Sequence, residues 1–238
     1  MKNKSIFERF LEVFIEKGIF YSLKLSIKLS IDFIKYIFFI LLKHPDSFVF
    51  NGKKYKYFHH PLSWNSERVI EIPLILEMMN KHKGLKILEV GNVLSNFTKL
   101  KKDTLDKYEK SESVINEDVV SFKPEKKYNL IVSISTLEHV GWDEKPKEPT
   151  KVIKALKNLK KCLSKDGQIM LTLPVGYNTT MDKLIKENKI IFKEKYYFIR
   201  ISKNNRWKQV NFDDVKNIKY SQRFPHANAI LFGIINKK

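Results

Sequence analysis

From residue 86 onward, short apolar segments alternate with stretches of helical periodicity, and this rhythm limits the fold more than any other feature of the sequence. Between two strongly apolar segments, apolar residues from Val152 to Leu163 recur at helical spacing. The strand-like segments are Lys86–Val90, Tyr128–Ser135 and Gln168–Leu173, with weaker ones at 104–106 and 114–115. Such alternation predicts an α/β fold, in which a mainly parallel sheet carries helices on both faces.

Shifts in composition divide the chain at about residue 45 and again near residue 84. The predicted parts are an apolar helical segment at 1–45, a connector with a hairpin and a helix at 46–83, and the α/β domain at 84–238. Further strands of this domain are expected at 190–192, 196–201, 207–210 and 227–235.

The connector has recognisable turn and helix signals. Asn51-Gly52 between two apolar runs predicts a tight hairpin turn. Asn65 or Ser66 is expected to cap a helix that runs to Asn80, and Pro73 either kinks that helix or opens its second half.

The single cysteine, Cys162, excludes a disulfide framework and a zinc site built from cysteines alone. The histidines are dispersed, so we expect no metal site. With 238 residues, of which 43% are hydrophobic and 30% charged, the chain can bury a core and is too polar for a polytopic membrane protein. These features indicate a reduced, cytoplasmic globular protein.

The chain is strongly basic, with 45 Lys and Arg against 26 Asp and Glu and a net charge of +19. The positive electrostatic potential of such a chain attracts nucleic acid, anionic lipid and anionic substrates alike. Only five of the basic residues are arginine, the side chain that reads phosphates and guanine edges with a two-pronged fork. The composition therefore does not favour a nucleic-acid partner.

Residues 5–43 are the most apolar part of the chain. The charges between Tyr21 and Leu42 fall within about 80° of helical arc; they are Lys24, Lys28, Asp32 and Lys35. A basic stripe beside a wide apolar face is typical of a helix lying in a membrane interface. A packing or dimer contact is the alternative, and a true membrane span is disfavoured by the charges.

Acidic residues and a glycine stand where the strands are expected to end. Glu89 and Gly91 close the first strand, Asp106 the second, and Asp118 follows the third. A glycine at such a turn lets backbone N–H groups approach a nucleotide, and an acid at the next strand end suits ribose hydroxyls. His139 follows the fourth strand.

With these features in this order along the chain, the sequence resembles the class I S-adenosylmethionine-dependent methyltransferases. The similar strings are ILEVG at 87–91, YNLIVSISTLEHV at 128–140 and LKNLKKCLSKDGQIMLTLPVG at 156–176. The resemblance covers roughly residues 84–178 and implies a Rossmann-like fold with a seven-stranded sheet. It implies S-adenosyl-L-methionine as cofactor and methyl transfer as the reaction.

The resemblance also implies roles for individual residues. The methionine end of the cofactor would lie against Glu89, Gly91 and Asn92, and the ribose against Asp106. Asp118 and Val119 would border the adenine, and Ser135 would lie over the methyl donor. The sequence departs from the family pattern at Val93 and Ser95, where the family has glycine, and at Asn129, where it often has aspartate. The segment 92–103 is short for a crossover helix, so we expect a variant path for this loop.

His139 is the candidate catalytic residue, because an acceptor hydroxyl or amine must lose a proton during methyl transfer. The alternative is that it only anchors the following turn. Trp142 and Tyr177 are expected to bind the acceptor at the mouth of the site. The insertion at 179–224 is the natural element for acceptor specificity.

The predicted function is methyl transfer to a small molecule, a lipid-linked precursor or a surface glycan, with peripheral contact at the cytoplasmic membrane face through residues 5–43. An RNA methyltransferase is one alternative. A catalytically degenerate fold that acts as a membrane-associated scaffold is the other. The sequence leaves the oligomeric state open.

Overall fold

The structure, a computed structural model, describes residues 14–15, 18–41, 47–61 and 63–237. The chain forms two compact units, one of Met1–His44 with His60–Leu62 and one of Pro45–His59 with Ser63–Lys238. The segment predicted as a connector thus falls almost entirely in the unit that contains the sheet. Of the predicted interfacial segment, residues 5–13, 16–17 and 42–43 lie outside the described residues.

In the described part of the first unit, Ile19–Leu41 forms a long helix, α1, with no acidic residue in its first turn and no proline. Most of its large apolar side chains are exposed, Phe20 by 87% and Leu41 by 70%, and only Ser22 and Phe39 are buried. Among the described residues, no helix combines the length and apolar character needed to cross a bilayer.

The second unit is built on a seven-stranded sheet with the order β4-β3-β5-β6-β9-β7-β8. Strands β3 to β6 are parallel, whereas β9 runs opposite to β6 and β7, and β8 opposite to β7. The strands are β3 (Ile87–Val90), β4 (Asp103–Leu105), β5 (Tyr128–Ile134), β6 (Leu163–Pro174), β7 (Glu194–Arg200), β8 (Trp207–Val210) and β9 (Ala229–Asn236). The predicted Rossmann-like α/β fold is confirmed.

Side chains alternate across the sheet into two cores, one on each face. Leu88 and Ile131 pack on one face beneath α3 (Lys151–Cys162), α4 (Thr179–Lys186) and α5 (Phe212–Val215). Ile87, Leu130 and Val132 pack on the other face against α2 (Arg68–Lys81) and the hairpin β1 (Ser47–Phe50) and β2 (Lys53–Lys56). Alternation of this kind follows from the two-residue period of a strand, so both faces need a helical cover.

The hairpin turn occurs as predicted, with Asn51 and Gly52 both at positive φ (47° and 76°). Of the two predicted caps of α2, Ser66 accepts a hydrogen bond from the first helical N–H, that of Arg68 (3.4 Å), although the N-cap position itself is Glu67, which makes no side-chain capping bond. Asn65 does not cap the helix. Asn65 instead accepts a hydrogen bond from the buried guanidinium of Arg200 through its side-chain oxygen (2.9 Å).

Two predicted strands also differ from the structure. The segment 114–115 forms only an isolated parallel bridge between Ile115 and Leu105. The segment 190–192 is not a strand, because the backbone N–H groups of Lys189 and Ile190 both donate to the Leu184 carbonyl and extend the end of α4. The strand that follows begins only at Glu194.

Candidate functional site

The strand order reverses direction at β3, which has β4 on one side and β5 on the other. The register pairs Val90 with both Leu105 and Ser133, so the three strands end at the same level. Ligands of open α/β sheets bind in the crevice outside the carboxyl ends at such a reversal. Gly91, Asp106 and Ser135 are therefore neighbours at one edge.

Gly91 occupies a position that no other residue fits without strain. Its φ is +84°, and a Cβ atom there would collide with Oγ1 of Thr136, in the turn that follows β5. Its N–H donates to the Leu105 carbonyl (2.8 Å), which ties the end of β3 to the end of β4. The loops after β3 and β5 thus pack directly against each other at this edge of the sheet.

Glu89 holds the loop that follows it. Its Oε1 accepts hydrogen bonds from the N–H groups of Val93 (3.1 Å) and Leu94 (2.7 Å), and its Oε2 lies 2.6 Å from Nζ of Lys102. Both side chains of this ion pair are buried, and burial raises the pKa of Glu89 despite the lysine. The structure therefore engages Glu89 inside the protein rather than leaving it open toward the crevice.

The loop at 92–102 contains a single 3₁₀ turn, Leu94–Asn96, in place of a crossover helix. The expected variant path is thus present in the structure. Leu94 is fully buried in the core, which fixes the turn against the sheet. Asn92 donates through Nδ2 to Glu109 (2.7 Å), while its Oδ1 is buried and has no hydrogen-bond partner among the described residues.

Asp106 organises the loop after β4. Its Oδ1 accepts hydrogen bonds from the N–H groups of Tyr108 (2.8 Å) and Glu109 (2.9 Å), and its carbonyl accepts from Asn116 (3.0 Å). Within the described part of the chain, its Oδ2 accepts no hydrogen bond. The carboxylate is thus held in place with one oxygen left for a ligand.

Asp118 belongs to a compact charged group. Its Oδ2 lies 2.8 Å from Lys151 and 2.9 Å from Lys107, and both lysines also contact Glu144. Although burial opposes it, hydrogen bonding to Lys151, the Val120 N–H and Lys107 lowers the pKa of Asp118 to about 2. The next residue, Val119, is buried in the core.

Ser135 directly follows β5 and has a strained backbone conformation, with φ at +38°. Its hydroxyl donates to Oε1 of Glu71 (2.5 Å), and its N–H donates to the carbonyl oxygen of Thr172 (3.1 Å). Glu71 is fully buried on α2 and pairs with Arg68 one turn earlier. Burial raises the pKa of Glu71, and the positive charge of Arg68 opposes this increase.

His139 lies in a hydrogen-bonded group at the edge of the site. Its Nδ1 is 2.5 Å from Oδ2 of Asp143 and 3.1 Å from the hydroxyl of Tyr177, which itself donates to Asp143 (2.7 Å). Because the carboxylate accepts from Nδ1–H, Nε2 is the basic nitrogen. Burial favours a higher pKa for Asp143, but the hydrogen bonds from Tyr177 and His139 outweigh burial and lower this pKa.

Glu138 is a buried acid directly beside this group, exposed by only 2%. Its Oε1 is 3.7 Å from Nε2 of His139, and its Oε2 has no hydrogen-bond partner among the described residues. Burial and the charge of nearby Glu71 raise the pKa of Glu138 well above its usual range, against the opposing charge of Arg68. The Glu138 carboxyl can thus hold or release a proton beside His139.

The two predicted acceptor residues have different neighbours. Tyr177 packs edge to face against His139 (4.9 Å between ring centroids) and against Tyr220 (5.0 Å). Trp142 instead lies beneath the ammonium group of Lys147, 3.3 Å from the ring centroid. In the described residues no cluster of His, Cys, Asp and Glu side chains could hold a metal ion.

Sequence reasoning missed Arg68, Glu71, Glu138 and Tyr220. The signal for Glu71 was present, because an acid stands alone in the apolar run Val69–Ile75. A charge buried among apolar side chains requires a partner, and the partner available one turn earlier is Arg68. Glu138 directly precedes the candidate catalytic residue, His139.

No family model and no curated protein matches this chain. Among solved structures it is similar to the N-methyltransferase NodS from Bradyrhizobium japonicum, in complex with S-adenosyl-L-homocysteine, with 13% identity over 68% of this chain and 83% of that one (TM-score 0.44). A TehB-like SAM-dependent methyltransferase from Corynebacterium glutamicum is 16% identical over 68% and 86% (TM-score 0.40). A SAM-dependent methyltransferase from Archaeoglobus fulgidus is 11% identical over 68% and 93% (TM-score 0.41).

Proposed function

We propose that the protein is an S-adenosylmethionine-dependent methyltransferase. The observation that carries this proposal is the reversal of strand order at β3, where the strand ends in a glycine turn at Gly91 and Asp106, after the next strand, presents one open carboxylate oxygen. Rossmann-like sheets bind nucleotides at this edge, with backbone groups at the glycine turn and an acid on the ribose.

The residues at this edge fit such a cofactor in two places. The buried, unpartnered Oδ1 of Asn92 suits the ammonium group of the methionine end, and Asp106 suits the ribose hydroxyls. The other two acids that the resemblance pointed to, Glu89 and Asp118, are already paired with lysines. Of these two, Glu89 holds the loop, and Asp118 with Val119 borders the adenine.

The cofactor, when bound, supplies an electrophilic methyl group. The chain's own contribution is to hold the acceptor in line and to take up its proton. His139 is the general base in this proposal, since Asp143 and Tyr177 fix its tautomer and leave Nε2 as the acceptor atom. Buried Glu138, with one unpartnered oxygen, orients the group that loses the proton.

The acceptor proposed is a small molecule, a lipid-linked precursor or a surface glycan. Tyr177 and Tyr220 offer aromatic edges beside the histidine, which suits a compact acceptor. An RNA acceptor is disfavoured because two of the arginines are engaged internally. Arg200 is 2% exposed and donates to backbone carbonyls, and Arg68 pairs with buried Glu71.

We further infer that α1 contacts an anionic membrane surface. Lys24, Lys28 and Lys35 form one basic stripe, and the apolar side chains around the rest of the helix are largely exposed. A helix of this kind buries its apolar face at the headgroup boundary while its lysines meet anionic lipids.

Calorimetry of S-adenosylmethionine binding tests the methyltransferase proposal. We expect saturable binding to the full chain, weakened at least about tenfold in Asp106→Ala because a charge-assisted hydrogen bond is lost. Glu125→Ala is the matched control, since it removes one exposed carboxylate just before β5, at the opposite edge of the sheet. Absence of binding at millimolar ligand would contradict the proposal and favour the scaffold alternative.

A further inference from the structure

A cavity of about 640 Å³ opens on the face of the sheet covered by α4 and α5. Its apolar wall includes Leu173, Met181, Ile185 and Leu231, all of which are buried. Most of its lining comes from the end of β6 and the residues after it, 173–187, and from residues 212–219, which follow β8. Neither Gly91 nor Asp106 lines this cavity, whereas Glu138 lines it and also lies 3.7 Å from His139.

One wall of the cavity carries an unpartnered hydroxyl. Tyr197 is only 6% exposed, and its Oη is buried without a hydrogen-bond partner among the residues that the structure describes. Leaving such a group unsatisfied is costly, so native proteins rarely retain one without a ligand or water to pair with it. The tyrosine is thus placed to hydrogen-bond something inside the cavity.

Asp182 of α4 lines the same cavity. One of its oxygens accepts a hydrogen bond from the Gly176 N–H (2.9 Å), and burial raises the pKa of this carboxyl to about 6. Burial, with the nearby charge of Asp182, raises the pKa of Tyr197 to about 12. The two groups therefore lie near each other, one a hydroxyl donor and the other a carboxylate acceptor.

The rim of the cavity is basic. It carries four exposed lysines, of which Lys216 pairs with Asp213 and Lys183 with Glu187. The other two, Lys186 and Lys219, form no ion pair with a described residue. The cavity thus combines an apolar wall, a polar interior and free positive charge at its mouth.

We propose that this cavity binds a medium-chain hydroxy acid, with its hydroxyl at Tyr197 and Asp182 and its carboxylate at Lys186 and Lys219. A hydroxyl accepts one hydrogen bond and donates another, so a single group satisfies both the tyrosine and the carboxylate. The aliphatic body packs against Met181, Ile185 and neighbouring apolar residues. This site is separate from the proposed cofactor site, and its occupation does not depend on methyl transfer.

Calorimetry on the full chain tests the proposal with ω-hydroxydecanoate, decanoate and decanol as probes. We expect the hydroxy acid to bind about tenfold more tightly than decanoate, because only the hydroxy acid pairs with Tyr197 and Asp182. Decanol should bind more weakly than the hydroxy acid, because it lacks the carboxylate that faces the lysines.

The variant Tyr197→Phe keeps the apolar ring and should abolish the preference for the hydroxy acid over decanoate. Tyr108→Phe, at a tyrosine that is 71% exposed, is the matched control and should leave the preference unchanged. Thermal unfolding of both variants verifies that they fold. Equal affinity for hydroxydecanoate and decanoate in the native chain would overturn the proposal, as would a preference that survives in Tyr197→Phe or no binding at millimolar probe.

Discussion

Gly91 and Gly84 have nearly equal positive φ angles but different surroundings. Gly91 (φ +84°) lies against Thr136, whereas Gly84 (φ +85°) has no atom within 4 Å of its missing Cβ. Both positions strain an alanine, but only Gly91 adds a steric collision. The pair therefore offers an internal comparison of backbone strain with packing at the candidate site.

We expect Gly84→Ala to lower the free energy of unfolding by about 1 kcal/mol and Gly91→Ala by about 2–4 kcal/mol. Chemical denaturation of both variants measures the difference. Adding Thr136→Ala to Gly91→Ala should restore part of the loss, because it removes the atoms that the new Cβ meets. Equal losses at Gly84 and Gly91 would show that the close approach to Thr136 is unimportant.

Asp182 should make stability depend on pH in the acid range. Its pKa of about 6 in the folded protein exceeds the ordinary value of 3.8, so the folded state binds this proton more tightly than the unfolded chain. The resulting stability, about 3 kcal/mol, is fully present below pH ~4 and is lost as the pH rises through ~6.

Asp182→Asn should remove this dependence between pH ~4 and ~6, measured as urea midpoints across that range. At pH ~7 the variant should be more stable than the native chain, since no buried charge remains there. An unchanged pH profile would mean that Asp182 is effectively solvated in the folded state.

At the level of elements, the loop between β3 and β4 shows how a sheet crossover is held without a helix. Glu89 binds the loop backbone through one oxygen and Lys102 through the other, and both side chains are buried. Removing one member of a buried ion pair leaves an uncompensated charge.

Lys102→Met should therefore lower the free energy of unfolding by about 3–5 kcal/mol, as measured by chemical denaturation. The double variant Glu89→Gln with Lys102→Met should recover a large part of that loss, because no buried charge remains unpaired. Lys101→Met, at an exposed neighbouring lysine, is the control and should change stability little. A Lys102→Met variant as stable as this control would contradict the structural role of the pair.

The elements that could be predicted from the sequence are those with strong local patterns. The runs that became β3, β5, β9 and the second half of β6 are mostly apolar because both of their faces are buried, so the central sheet could be predicted directly. The segment 190–192 is equally apolar, but a helix end that continues past Lys186 competes for its backbone, which periodicity alone does not reveal.

The residues of the candidate site could be predicted where they directly follow a strand. They could not be predicted where the contact is made by a side chain from a distant element. Gly91, Asp106 and His139 directly follow strands or their turns. Glu71, by contrast, reaches Ser135 from a helix 64 positions earlier in the chain. Of the two caps expected, Asn65 failed for the same reason, because a distant arginine, Arg200, engages that side chain instead.

For the molecule as a whole, net charge and the exposed helix α1 lead to one prediction about location. The chain carries +19, and the stripe of Lys24, Lys28 and Lys35 concentrates charge beside exposed apolar side chains. We expect the full chain to bind vesicles containing phosphatidylserine and to bind phosphatidylcholine vesicles far less.

Reversing these three lysines to glutamate should weaken vesicle binding about 100-fold in a flotation assay, since each lysine contributes about 1 kcal/mol near an anionic surface. A matched control reverses three exposed lysines of the sheet unit, with the same change in net charge: Lys157, Lys165 and Lys195. Equal weakening in both variants would show that overall charge, rather than α1, governs the attraction.

A crystal structure of the full chain, grown with saturating S-adenosylhomocysteine, will show whether the carboxyl ends of β3, β4 and β5 form the cofactor site. We expect the ligand against the Gly91 backbone, with its ribose at Oδ2 of Asp106 and its amino group at Oδ1 of Asn92. A ligand bound elsewhere, or no bound ligand at saturating concentration, would contradict the proposed site.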